Sequence, residues 1–120
     1  MEKENVDKKS YDGSDDVALL LVKGASGSKE ENKIYVKELA VAISTVFQKH
    51  NVVHLRCIGR GAIGNAAYAS AIAHSELEKQ GVDARGVWRY QTMSFSDGVE
   101  RTALVLEIKD AVDSDAPSLV

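Results

Sequence analysis

The chain has a single cysteine, Cys57, one tryptophan and two phenylalanines in 120 residues. One thiol cannot form an internal disulfide, so a reducing cytoplasm is the expected setting. With aromatics at 6% and hydrophobic residues at 44%, the core must be built mainly from aliphatic side chains. No apolar run approaches the roughly 18 residues that a membrane span requires, so no membrane association is expected. The opening residues, MEKENVDKKSYDGSDD, contain no apolar stretch that would act as a secretory signal. Metal ligands are also scarce. His54 and Cys57 stand three apart on a strand-like run and so face opposite sides, and no second cysteine completes a zinc set. No metal and no cofactor are expected.

Charge is present but unevenly placed. Residues 1–16 hold three lysines against six acids, and residues 110–120 hold three aspartates and no base. The remaining stretch carries twelve Lys or Arg against nine acids, a net of +3, although the whole chain is −3. The two ends read as disordered acidic tails, 1–16 and 110–120, around one domain at 17–109.

Within that domain Val17–Lys23 is a short continuous apolar run, read as a buried strand. Gly24–Lys29 reads as a flexible loop, and Ser28 with Glu31 has the spacing of a capping box that opens a helix. Val36, Leu39, Ala40, Ile43, Val46 and Phe47 then recur at helical spacing, and the helix should end near His50 and Asn51. Val52–Ile58 is the second strand. A second helix, from about Gly61 to Gln80, is rich in Ala62, Ala66, Ala67, Ala69, Ser70, Ala71 and Ala73, and its lack of bulk predicts close packing on a sheet or a partner subunit. Val82–Lys109 reads as a long hairpin turning at Ser96-Asp97-Gly98. The predicted order is βαβαββ.

Between the second strand and second helix lies Gly59-Arg60-Gly61-Ala62-Ile63-Gly64, a literal G-x-G-x-x-G. A dinucleotide fold would place an acid about 20 residues onward, at the end of the next strand. Glu78 and Asp83 have about that spacing but fall in and just after the predicted helix, and the next strand turns back as a hairpin. The better reading is a turn whose backbone N–H groups, at a helix N-terminus beside Arg60, suit a phosphate. No activated nucleophile or base with an orienting partner is visible, so an enzyme is not expected.

Ile58-Gly-Arg-Gly-Ala-Ile63, the alanine-rich helix behind it, and Asp97-Gly-Val-Glu-Arg-Thr-Ala103 together resemble the stage V sporulation protein S family, with its I-G-x-G-A-[LI] turn and D-G-x-E-R-T-A hairpin. The resemblance spans about residues 18–109. That family is similar in fold to Alba, the small dimeric chromatin and RNA-binding proteins. It implies an α/β domain of the α+β two-layer kind, Alba-like, with a four-stranded mixed sheet packed on two helices. It further implies a homodimer that binds DNA or RNA through backbone phosphates, in a regulatory role of the bacterial sporulation or development type. The positions matching the family's contact regions are Lys23 and Lys29, Arg60 with Gly61, and Arg85, Arg89 and Arg101. Where Alba proteins often carry R-G-R-A-I at the turn, this chain has G-R-G-A-I, with one arginine.

The alternative is a protein-interaction module on the same fold. Clustering of Lys23, Arg60, Arg85, Arg89 and Arg101 on one face favours nucleic acid, and scattering favours the module. Trp88 and Tyr90 alternate with Arg89 and Gln91 and are expected in the core or an interface rather than as base-stacking platforms. Arg101 is expected to pair with Glu100 or Glu107, and His74 to face solvent or a subunit contact.

Overall fold

The structure is a computed structural model and describes residues 18–25 and 27–111. Both acidic tails lie outside these residues, apart from Asp110 and Ala111. Among the described residues the elements run β1 (Leu19–Val22), α1 (Lys29–His50), β2 (Val52–Cys57), α2 (Arg60–Glu78), β3 (Ala84–Ser94) and β4 (Glu100–Asp110). This is the predicted βαβαββ order. The strand β4 reaches Asp110, a residue assigned above to the tail, because the Asp110 carboxylate accepts from Asp83 N and Ala111 N donates to Asp83 O at 2.8 Å.

The sequence explains the helix ends. Ser28 Oγ accepts from Glu31 N at 3.1 Å and Glu31 Oε1 accepts from Ser28 N at 2.7 Å, so the capping box is complete. At the other end Asn51 takes a left-handed conformation, φ 61°, and returns its N–H to Phe47 O. Helix α2 begins differently. Gly59, φ 92°, turns the chain sharply, and no side chain among the described residues caps the first turn, which also lacks any acid.

The sheet order is β1-β2-β4-β3. Strands β1 and β2 are parallel, joined by the α1 crossover, whereas β4 lies antiparallel to both β2 and β3. A single parallel pair followed by a hairpin is not a dinucleotide fold. Glu78 ends α2 and Asp83 is held by Arg85 at 2.8 Å, so neither acid stands where a ribose would need it.

One face of the sheet is covered by both helices. Val53, Leu55 and Cys57 of β2 and their register partners Leu106 and Ile108 of β4 meet Val36, Leu39, Ala40, Ile43 and Phe47 of α1. Helix α2 adds Ala62, Ala66, Ala69, Ala73 and Leu77, and the small side chains allow it to pack closely against α1 and the sheet. Strand β3 lies at the sheet edge, beyond most of the helical cover. Trp88 is therefore 38% and Tyr90 82% exposed, so of the expected core or interface positions the core of this chain is excluded. His74, expected to face solvent or a subunit contact, is half-buried on α2, its Nδ1 3.0 Å from Ala84 O.

Candidate functional site

The cationic residues singled out in the sequence occupy two separate surfaces. Arg85, Arg89 and Arg101 share the sheet face opposite the helices, since their register partners are Lys109, Val105 and Met93. Each is ion-paired. Arg85 meets Asp83 at 2.8 Å, Arg89 meets Glu107 at 3.1 Å and Arg101 meets Asp97 at 3.7 Å. The Asp97 partner replaces the Glu100 or Glu107 expected for Arg101, because the hairpin tip folds back. Asp97 Oδ1 accepts from Val99 N at 2.9 Å and Gly98 takes φ 81°. The Arg101 guanidinium also lies 4.8 Å from the centre of the Phe95 ring.

Near the centre of that same face Glu107 gathers an imidazole and two cations. His54 Nε2 donates to Glu107 Oε2 at 3.1 Å, Arg89 donates to Oε1, and Lys109 Nζ lies 3.8 Å away. Burial by itself raises the Glu107 carboxyl, but the hydrogen bonds from His54 and Arg89 and the charges of Lys109 and Arg89 outweigh it and hold the group below its ordinary value. Cys57, two positions beyond the neighbouring Leu55, points to the helices, where burial pushes its thiol up to about 12. His54 and Cys57 thus occupy opposite faces.

At the other surface lie Lys23, Lys29, Arg60 and Gly61. Lys23 directly follows β1, its N–H donates to the Tyr35 hydroxyl at 2.8 Å, and its ammonium lies 5.6 Å from the Tyr35 ring centre. Lys29 is the exposed first residue of α1, and Arg60 the first of α2. Gly61 sits against the loop after β1. A Cβ there would stand 2.8 Å from Ala25 N, so the close approach of two backbone segments requires glycine.

Here the two helices enclose a groove with a volume of about 530 Å³. Arg60, Gly64, Tyr68 and Ile72 form one wall at four-residue spacing along α2, and Lys33, Val36 and Lys37 of α1 form the other. Beneath them Asn32 and Asn65 are hydrogen-bonded to each other, and Asn65 Nδ2 donates to Lys23 O at 3.0 Å. No carboxylate among the described residues ion-pairs with Arg60, Lys23, Lys33 or Lys37. Lys33 and Lys37, one turn apart, repel each other on the helix surface. The uncapped first turn of α2 adds its partial positive charge to theirs. The groove has an apolar lining and cations without an ion-pair partner among the described residues.

Sequence reading found Arg60 and Gly61 but missed Lys33, Lys37, Gly64 and Tyr68. A signal was there. Lys33 and Lys37 share a helix face, and Tyr68 is the one Phe, Tyr or Trp in an alanine-rich helix.

No helix among the described residues is long and apolar enough to cross a membrane. A search of curated proteins finds no match to the chain. A family model, described as stage V sporulation protein S, matches residues 29–111. The match takes in both helices, the glycine turn and the whole hairpin. On that match over most of its length, the chain belongs to the stage V sporulation protein S family and is in that sense a sporulation-related protein.

Proposed function

We propose that this chain is a nucleic-acid-binding protein that contacts backbone phosphates, with a regulatory rather than catalytic role in the cytoplasm. The observation that carries the reading is the grouping of Arg60, Lys33 and Lys37 along the groove that opens at the uncapped start of α2, none of the three ion-paired with a carboxylate among the described residues. Phosphate fits such a place because it accepts several N–H bonds and carries the charge that the site lacks. The hairpin arginines are secondary contacts, since a phosphate would first have to displace Asp83, Glu107 or Asp97. Their pairing, and the division of Lys23, Arg60, Arg85, Arg89 and Arg101 between two surfaces instead of one, favour the second reading, a protein-interaction module. Homodimerisation is part of the proposal, and the exposed Val87, Trp88 and Tyr90 on edge strand β3 support it.

Fluorescence anisotropy with labelled duplex DNA and single-stranded RNA across a salt series tests the proposal, comparing wild type with Arg60→Ala. Affinity should fall steeply with salt, and losing Arg60 should reduce the log–log slope by up to about 0.9 for duplex or 0.7 for single strands. No binding to either nucleic acid at low salt, from protein shown to be folded, rejects this function and leaves the interaction module. Sedimentation equilibrium at the same concentrations reads the dimer.

A further inference from the structure

We infer that the groove between α1 and α2 holds an unpaired base, with Tyr68 as its stacking platform, so that the preferred ligand is a single strand. This rests on the phosphate reading above and narrows it. Tyr68 is 72% exposed on a helix whose buried side is four alanines with Asn65 and Leu77. Leaving a large ring in water forgoes the stabilisation that burial would give, so the ring's position is not explained by the core. One turn before it stands Gly64, where an added Cβ would meet nothing within 4 Å. The space beside the ring, toward the helix N-terminus, is therefore open. Ile72, one turn after, closes the slot with apolar surface.

The charges stand where a strand needs them. Arg60 precedes Tyr68 by eight residues, about 12 Å along the helix axis. Lys33 and Lys37 line the opposite wall. A base lying on the Tyr68 ring would place its flanking phosphates between these cations. Hydrogen bonds also fix the spacing of the two helices. The Asn32–Asn65 pair ties the helices at the N-terminal end of α2, and Gln48 Nε2 donates to Gln80 Oε1 at 2.9 Å at the far end. Bases in a duplex are turned inward and cannot enter a concave slot between two helices, whereas an unstacked base can, and a tyrosine face accepts any of the four.

The test compares a labelled single-stranded oligonucleotide, an abasic strand of equal length and charge, and a duplex. Wild type should bind the base-bearing strand more tightly than the abasic one. Tyr68→Ala should weaken the base-bearing strand about five- to hundredfold, the range of one stacked base, and leave the abasic strand unchanged. Tyr68→Phe should retain binding. Gly64→Leu, whose Cβ meets nothing within 4 Å and whose branch projects into the slot, should reproduce the loss while thermal unfolding shows the fold intact. Arg60→Ala should weaken both strands. If Arg60→Ala weakens binding but Tyr68→Ala leaves the two strands equal, the slot does not hold a base and only the phosphate reading survives. If polyglutamate displaces the strand equally well from wild type and Tyr68→Ala, the groove serves an acidic protein segment and the inference falls. Absence of binding by any strand at low salt removes both readings together.

Discussion

Asn32 and Asn65 exchange two amide hydrogen bonds across the seam between the helices, Asn32 Nδ2 to Asn65 Oδ1 at 3.0 Å and Asn65 Nδ2 to Asn32 Oδ1 at 3.1 Å. Asn65 also donates to Lys23 O, so one buried amide ties α2 to α1 and to the end of β1. Replacing it with Leu leaves the Lys23 carbonyl and the Asn32 amide without this partner, at about 1–3 kcal/mol for each group that stays buried. The urea midpoint of Asn65→Leu should fall with the m-value unchanged. A midpoint equal to wild type would mean that water takes over these bonds and that the amide pair does not hold the groove.

Gly61 and Gly64 lie three residues apart in the same helix, yet they should respond to alanine with opposite signs. At Gly61 the new Cβ stands 2.8 Å from Ala25 N and 3.4 Å from Gly24 Cα, backbone atoms that cannot step aside without moving the loop. Overpacking of that kind costs about 1–3 kcal/mol. At Gly64 the added Cβ meets nothing within 4 Å, and alanine in a helix is favoured over glycine by about 0.5–1 kcal/mol. Thermal unfolding of the two variants side by side checks the contrast. A Gly61→Ala protein as stable as Gly64→Ala would show that the loop after β1 is free to yield.

The elements were legible in the sequence because their signals are local. The Ser28–Glu31 capping box, the helical spacing from Val36 to Phe47 and the Asp97-Gly98 turn each act over a few residues, and each appears in the structure where it was expected. The site was legible only in part. Arg60 and Gly61 announce themselves as members of a motif, but Lys33 and Lys37 matter through the placing of α1 against α2, which no local pattern encodes. Arg85 and Arg89 read as free cations in the sequence, and Arg101 as a partner of Glu100 or Glu107. Their partners Asp83, Glu107 and Asp97 come from strand register and the folding-back of the hairpin tip. The core alternative for Trp88 and Tyr90 fails for the same reason. Strand order, not composition, puts β3 at an edge.

The cluster at Glu107 gives stability a definite pH dependence. Its carboxyl is depressed in the folded protein by His54, Arg89 and Lys109 against the opposing effect of burial. A depressed carboxyl contributes stability that is fully present above the unfolded-state value, about 4.3 for Glu. That contribution is lost as pH falls through the lower folded value, because the unfolded chain takes up the proton first. Glu107→Gln should therefore lower stability at neutral pH and flatten the acid limb of the stability curve. Chemical denaturation from neutral to acid pH reads both effects. An acid limb of unchanged slope would assign the pH dependence to other carboxylates.

Cys57 offers a reporter that needs no mutation. Its side chain is fully buried between β2 and the helices, and burial pushes the thiol up to about 12. Because the thiolate is the reactive form, the native protein should not react with a thiol-specific reagent near pH 8 on the timescale of minutes. Denaturant restores a cysteine of ordinary acidity, about 8.5, and labelling should then follow the unfolding transition. The same reagent also tests the core around the seam. If Asn65→Leu loosens the packing of α2 on the sheet, Cys57 should label faster in that variant without denaturant. Fast labelling of the wild-type protein in native buffer would show that β2 opens to solvent and that the helical layer covers it less tightly than the packing of Leu55, Cys57 and Ile43 implies.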